Sequence, residues 1–160
     1  MTQESTIQLS LPEGYTFRKL KLTDYSNNYI ETLKVLTTVG NISEENFNKL
    51  FQEWSQNSHI YQPHVILNKE GVVVSTGMLL LESKLIHECG KIGHIEDISV
   101  AKEEQGKKLG NYMVKSLASL AEQAGCYKVI LDCSDHNVGF YEKCGFEVGG
   151  VEMVHRFFRY

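Results

Sequence analysis

Apolar positions in the chain recur first every three or four residues and then every two. Tyr29, Leu33 and Leu36 keep helical spacing until Gly40, with Thr23 and Asp24 ahead of them as N-cap oxygens, which predicts a first helix. Ser43 predicts the start of a second, running to about Gln56. Glu44 and Glu45 fall in its dipole-favoured first turn, and Ile42 and Phe47 are spaced as a hydrophobic staple. Tyr15 to Leu20, His64 to Leu67 and Val72 to Leu81 read as strands, the last two joined by a hairpin loop ending at Gly71. Ile92 to Val100 alternates as a strand, putting Ile92, His94, Glu96, Ile98 and Val100 on one face, at least half buried. Leu109, Met113, Leu117, Leu120 and Ala124 then mark the clearest amphipathic helix, closed by Gly125. Tyr127 to Cys133 reads as a buried strand and Val138 to Lys143 as a short helix closed by Gly145. Phe146 to Val151 and Met153 to Phe158 read as terminal strands. This order predicts an α/β (α+β) domain with a mixed, mostly antiparallel central sheet flanked by helices.

With 160 residues, no linker-like stretch and no internal repeat, residues 12–160 are expected to form one domain after a flexible segment 1–11. The 16 Lys and Arg against 20 Asp and Glu argue against duplex nucleic acid as the main partner, though not against a local pocket for a small anion. No apolar run approaches the roughly 18 to 20 residues of a membrane-spanning helix, and the first residues lack the layout of a signal peptide. A cytoplasmic location is therefore expected. The cysteines Cys89, Cys126, Cys133 and Cys144 form no C-x-x-C pair and read as buried free thiols of a reducing compartment. No set of Cys, His and acidic residues offers four ligands at a recognised spacing, so no metal is expected.

Chemistry concentrates in three places. Gln105-Gly106-Lys107-Lys108-Leu109-Gly110 joins a strand to a helix, where a glycine turn and orphan N–H groups suit a phosphate or pyrophosphate. By itself, a plain capped loop with solvated lysines accounts for it equally well. Phe140 and Tyr141 lie on a short helix, so one can pack inward while the other presents its ring to a cleft. Glu96 and Asp97 are adjacent carboxylates on a strand and should face opposite ways; a half-buried Glu96 paired with His94 is the structural alternative to a catalytic one.

GHIEDISV, QGKKLG, YKVILDC and NVGFYEKCGF together resemble the GCN5-related N-acetyltransferase (GNAT) superfamily. ETLKVLTTVG, SKLIHECGKIGHIEDISV, CYKVILDC and GVEM, in this order, are similar to its eukaryotic branch that acetylates glucosamine 6-phosphate. The likeness runs from about Pro12 onward, with one departure: Lys108 stands where the pattern Q/R-x-x-G-x-G/A has glycine.

The resemblance implies the GNAT acyl-CoA N-acyltransferase fold, with acetyl-CoA as co-substrate in a wedge between strands ending near Val100 and Cys133. Ile98, Ser99 and Val100 would hold the pantetheine and acetyl carbonyl, and Gly106, Lys107, Lys108, Leu109, Gly110 and Asn111 the pyrophosphate. Asn137, Phe140, Tyr141 and Lys143 would line the opposite wall, with Tyr141 beside the thioester sulfur and Glu96 or Asp97 serving the amine. For the sugar phosphate it implies Lys128 and Arg156 as cations, with Thr37, Lys84, Leu85, Ile86, His87, Tyr127 and Asp132 around them. It further implies a homodimer with sites shared between chains, to which exposed apolar residues in VEMVHRFFRY would contribute. Two other readings remain open: a GNAT enzyme for another amine, such as a polyamine or protein lysine, and a non-catalytic acyl-CoA binding module.

Overall fold

The computed structural model describes residues 9–158; residues 1–8 of the expected flexible segment lie outside the described residues. Strands β1 (Thr16–Lys19), β2 (Tyr61–Leu67), β3 (Val73–Ser83), β4 (Lys91–Val100) and β5 (Cys126–Ile130) lie side by side in sequence order. The first four pair antiparallel and β5 joins β4 in parallel, as a mixed, mostly antiparallel sheet requires. A parallel pair needs a crossover. Here it is the helix α4 (Leu109–Gln123), which lays Leu109, Met113, Val114, Leu117 and Ala121 against Leu79, Leu81 and Ile95 of the sheet. Helices α1 (Tyr29–Leu33) and α2 (Glu44–Gln56) cover the other face, where Tyr29 and Phe47 meet Val65, Leu67 and Val73. Alternation along β2 divides Ile66 from Val65 and Leu67 between the two cores.

Ser43 caps α2 as expected, its Oγ accepting from the Asn46 N–H at 3.1 Å. The first helix is corrected. Leu22–Ser26 forms a 3₁₀ turn and α1 begins separately at Tyr29, because Asn28 takes a left-handed conformation (φ 68°) and breaks the run. Asn28 is held there by the bond from its Nδ2 to the Val73 carbonyl at 3.0 Å. Asp24 is not the N-cap of α1; it lies buried in the 3₁₀ turn, accepting from Arg18 at 2.7 and 2.8 Å and, in a capping-box bond, from the Lys21 N–H at 2.8 Å.

Two further corrections concern the end of the chain. Strand β5 stops at Ile130, forms the edge of the sheet among the described residues and is largely exposed, with Tyr127 at 43% and Ile130 at 39%. Residues 146–158 form no strand among the described residues, since their backbone groups find no ladder in the single chain. Cys144 is buried, but Cys89 and Cys133 are exposed and Cys126 is half-buried, so the reading of four buried thiols holds for one.

Between β3 and β4 lies a single turn, α3 (Ile86–Cys89), in which His87, Glu88 and Cys89 all have positive φ (52°, 57° and 60°). Left-handed backbone costs roughly 1–2 kcal/mol for each residue with a Cβ, so this turn stores strain. It leaves Leu85 and Ile86 88% and 59% exposed.

Candidate active site

The strand pairing sets the site. β5 runs beside β4 only from Lys91 to His94; β4 continues to Val100 with no strand on its outer edge. On its inner edge, the two residues Asp97 and Ile98 stand opposite the single residue Gly77 of β3, between the pairs Met78–Glu96 and Thr76–Ser99. This is a β-bulge. Asp97 adopts φ 55° to make it, and Thr76 Oγ1 donates to the Asp97 carbonyl at 2.9 Å. Gly77 lets α4 approach beneath, since a Cβ there would lie 2.8 Å from the Met113 side chain. Ser99 Oγ donates to the Thr32 carbonyl at 2.6 Å and Ser75 Oγ to the Ser99 carbonyl at 2.9 Å, which pins the far end of β4 to α1 and β3. The strands therefore diverge beyond His94.

A cleft of about 770 Å³ opens at this divergence. One wall is Ile98, Ser99 and Val100; the floor is the loop and first turn of α4, from Gln105 and Gly106 to Lys108 through Asn111. The other wall is Asn137, Phe140, Tyr141 and Lys143, carried by helix α5 (Val138–Lys143) and the turn before it. Gly106 (φ 89°) and Lys108 (φ 63°) shape the floor, and Gly110 is close to Phe140, where a Cβ would sit 3.3 Å from the ring. The α4 N-terminus contributes orphan N–H groups and partial positive charge, and Lys108, Lys115 and Lys143 add full charges, so the cleft suits an elongated anion with an apolar arm.

Tyr141 packs against Phe140 and Phe146, with centroids 4.9 and 6.1 Å apart, and its hydroxyl has no partner among the described residues. Burial, and then the negative groups around it from Cys133 to Glu96, push the phenol above its ordinary value, so it carries its proton at neutral pH. Glu96 is likewise raised, first by burial and then by the charges of Asp132 and Asp97, with Glu152 adding and His94 opposing. Asp97, though more than a third exposed, is raised by the protein around it. Tyr141 and the raised Glu96 are thus near enough to act on each other electrostatically.

A family model described as the acetyltransferase (GNAT) family matches residues 27–146. The chain belongs to this family. The acetyltransferase is 69% identical to the glucosamine 6-phosphate N-acetyltransferase of Candida albicans over 149 residues, 93% of this chain and 100% of that protein. It is 42% identical to glucosamine 6-phosphate N-acetyltransferase 1 of Dictyostelium discoideum, over 88% of this chain and 90% of the relative. The crystal structure of glucosamine-6-phosphate N-acetyltransferase from Arabidopsis thaliana superposes with a TM-score of 0.87 at 38% identity, covering 91% of this chain and 99% of that one. The GNAT fold expected from the motifs is thus the fold observed.

Of the thirteen residues that the resemblance implies for the cofactor on β4, the loop, α4 and α5, twelve line the cleft and Lys107 does not. Lys107 points instead to Glu104 (2.7 Å) and the Tyr15 hydroxyl (3.1 Å). Lys108, the departure from the family pattern, adopts the left-handed conformation for which glycine is suited. Lys108→Gly is accordingly expected to raise stability by about 1 kcal/mol in denaturant unfolding.

The remaining expected residues lie outside this cleft. On the adjoining part of the sheet, the His87 ring lies 4.6 Å from the Tyr127 ring, and Lys128 Nζ is 5.9 Å from the same ring. Lys84 is not a free cation: Glu82 binds it at 2.8 Å and binds His94 at 2.7 Å. Among the described residues Glu96 makes no hydrogen bond to His94, whose Nε2 is taken by Glu82, so the expected Glu96–His94 pair is not formed. Thr37, Asp132 and Arg156 are exposed, Asp132 near enough to Glu96 and Tyr141 to shift both. Sequence reasoning missed Leu9, Val35, Leu36, Glu104 and Lys115 in the cleft. Leu36 reads as a core position by its spacing, yet it is 48% exposed because α1 has already ended at Leu33.

Proposed function

We propose that the chain transfers the acetyl group of acetyl-CoA to the amine of D-glucosamine 6-phosphate, giving N-acetyl-D-glucosamine 6-phosphate and CoA, within UDP-N-acetylglucosamine biosynthesis in the cytoplasm. The observation that carries this is Tyr141 on the wall of a cleft opened where β4 runs on past the end of its pairing with β5, with Glu96 near enough to act on it electrostatically. The names of relatives that match along 90% or more of their length support the acceptor.

Transfer is direct, through a ternary complex. The amine must be neutral to attack the thioester carbonyl, and Glu96 or Asp97, directly or through a water, removes its proton. N–H groups on the unpaired edge of β4 stabilise the oxyanion of the tetrahedral intermediate. As the carbon–sulfur bond breaks, Tyr141 protonates or hydrogen-bonds the departing thiolate. Lys128 and Arg156 receive the sugar phosphate, supported by Thr37, Lys84, His87, Tyr127 and Asp132. The active form is a homodimer with sites shared between chains. Supporting this, Val151, Met153, Phe157 and Phe158 are 75–89% exposed, apolar surface that a second chain would cover.

Free CoA release from acetyl-CoA tests the reading, with glucosamine 6-phosphate, spermine and a lysine peptide as acceptors. Turnover with the sugar phosphate is expected. Turnover with spermine or the peptide alone would move the enzyme to another acceptor, and binding of acetyl-CoA with no turnover would make it a sensing module.

Two predictions follow the charges. Replacing Lys128 or Arg156 with Met is expected to raise KM for glucosamine 6-phosphate about 10- to 100-fold, the worth of one charged phosphate contact, and to leave KM for acetyl-CoA unchanged. For the base, a raised carboxylate pKa means that activity falls as pH drops through a value above that of a free Glu. Asp132→Asn removes a like charge and is expected to shift this acidic limb of kcat/KM to lower pH.

A further inference from the structure

The turn that precedes the cleft floor contains a bonded triad that the transfer chemistry does not use. Glu104, 8% exposed, accepts from the Tyr15 hydroxyl at 2.7 Å and from Lys107 Nζ at 2.7 Å, and Lys107 also reaches the Tyr15 oxygen at 3.1 Å. The turn itself, Lys102–Glu104, is hung from the sheet by the Glu104 N–H to the Ala101 carbonyl and the Ala101 N–H to the Val74 carbonyl, both 2.9 Å. Lys107 stands between the two left-handed residues Gly106 and Lys108, in a loop whose other bonds are long: Gln105 makes two 3.4 Å contacts, from its side-chain amide to the Val100 carbonyl and from its N–H to the Lys102 carbonyl. Without a tether, such a loop would sample other conformations at little cost, because a lysine in left-handed backbone gains by leaving it.

We infer that Glu104, Lys107 and Tyr15 are positioning residues that clamp the Gln105–Lys108 loop so that its backbone N–H groups face the pyrophosphate of acetyl-CoA. The inference rests on the cofactor reading of the cleft. Glu104 lines that cleft yet carries a negative charge where an anion must bind. Lys107 balances that charge and is thereby removed from direct contact with the ligand. The electrostatics agree: burial pushes the Glu104 carboxyl up, but Lys107 and the Tyr15 hydroxyl outweigh it and hold it below the ordinary carboxylate range. Lys107 is held above the ordinary amine range, by Glu104 first and Tyr15 second.

The clamp and a direct Lys107 contact predict opposite signs. Glu104→Met, Lys107→Met and the double variant are compared by steady-state kinetics with acetyl-CoA varied, with Tyr15→Phe and Lys107→Arg alongside. As a clamp, Glu104→Met raises KM for acetyl-CoA roughly 5- to 20-fold although it removes a negative charge. Lys107→Met does the same, the double variant is no worse than either, Tyr15→Phe gives a smaller rise, and Lys107→Arg restores wild-type KM. In each case kcat stays within about twofold. A lowered KM in Glu104→Met, or multiplied losses in the double variant, would overturn the inference; should Glu104→Met fail to fold, Lys107→Met with Tyr15→Phe provides the same cycle. Hydrogen exchange of the wild-type protein with CoA separates the two levels. Slowed exchange at 98–100 and 106–111 supports the cofactor reading whatever the variants do, and slowing confined to other segments would sink that reading and the clamp with it.

Discussion

Tyr141→Phe is expected to lower kcat about 10- to 1000-fold, with KM for acetyl-CoA and the melting temperature nearly unchanged. The ring keeps its edge contacts to Phe140 and Phe146, so only the hydroxyl is lost. That hydroxyl is the one uncharged donor on the α5 wall whose environment holds its proton firmly, since burial and the negative groups nearby raise its pKa. A CoA thiolate leaving into the same half-dry corner is a poor leaving group until something stabilises its charge, and this selective demand at the transition state is why the loss falls on kcat rather than on binding. Single-turnover measurement of CoA release decides it; a wild-type rate in the variant would remove Tyr141 from the chemistry.

Substitutions at Asp97 should separate its backbone from its carboxylate. The bulge needs φ 55° at this position, a conformation that Asn and Gly accept readily and a β-branched residue resists. Asp97→Val is therefore expected to lower kcat/KM for acetyl-CoA about 100-fold and to destabilise the protein by roughly 1–3 kcal/mol, as the strand straightens and turns the residues after it toward the wrong face. Asp97→Gly should keep acetyl-CoA binding. Asp97→Asn should keep it too, and any loss confined to the amine substrate in that variant measures the carboxylate alone. Equal acetyl-CoA affinity in the Val and Asn variants would show that the bulge does not build the cleft.

Much of this architecture is legible from residue spacing. Helix α4 declares itself because five apolar residues at intervals of three and four have no other way to be buried together, and Ser43 marks the start of α2 through one oxygen and one N–H. The bulge is not legible, because an inserted residue leaves the composition of β4 that of an ordinary alternating strand; only the tolerance of Asp for left-handed backbone hints at it. Asn28 hides the break in the first helix in the same way, its side chain finding the Val73 carbonyl only once the sheet has formed. Lys107 shows the limit of reasoning about loops. A lysine beside an anion cradle suggests a ligand contact, and its true partners, Tyr15 and Glu104, come together through the folded chain. The terminal residues have strand-like composition, yet among the described residues they pair with no edge of the sheet, not even the free edge of β5.

A crystal structure of the protein with CoA tests the central claim most directly. The expected density has the pantetheine arm against Ile98–Val100 on the open edge of β4, the sulfur beside the Tyr141 hydroxyl, and the pyrophosphate over the N–H groups of Gly106–Asn111. CoA bound on any other surface, or β5 zipped onto β4 as far as Val100 with the groove closed, would contradict it.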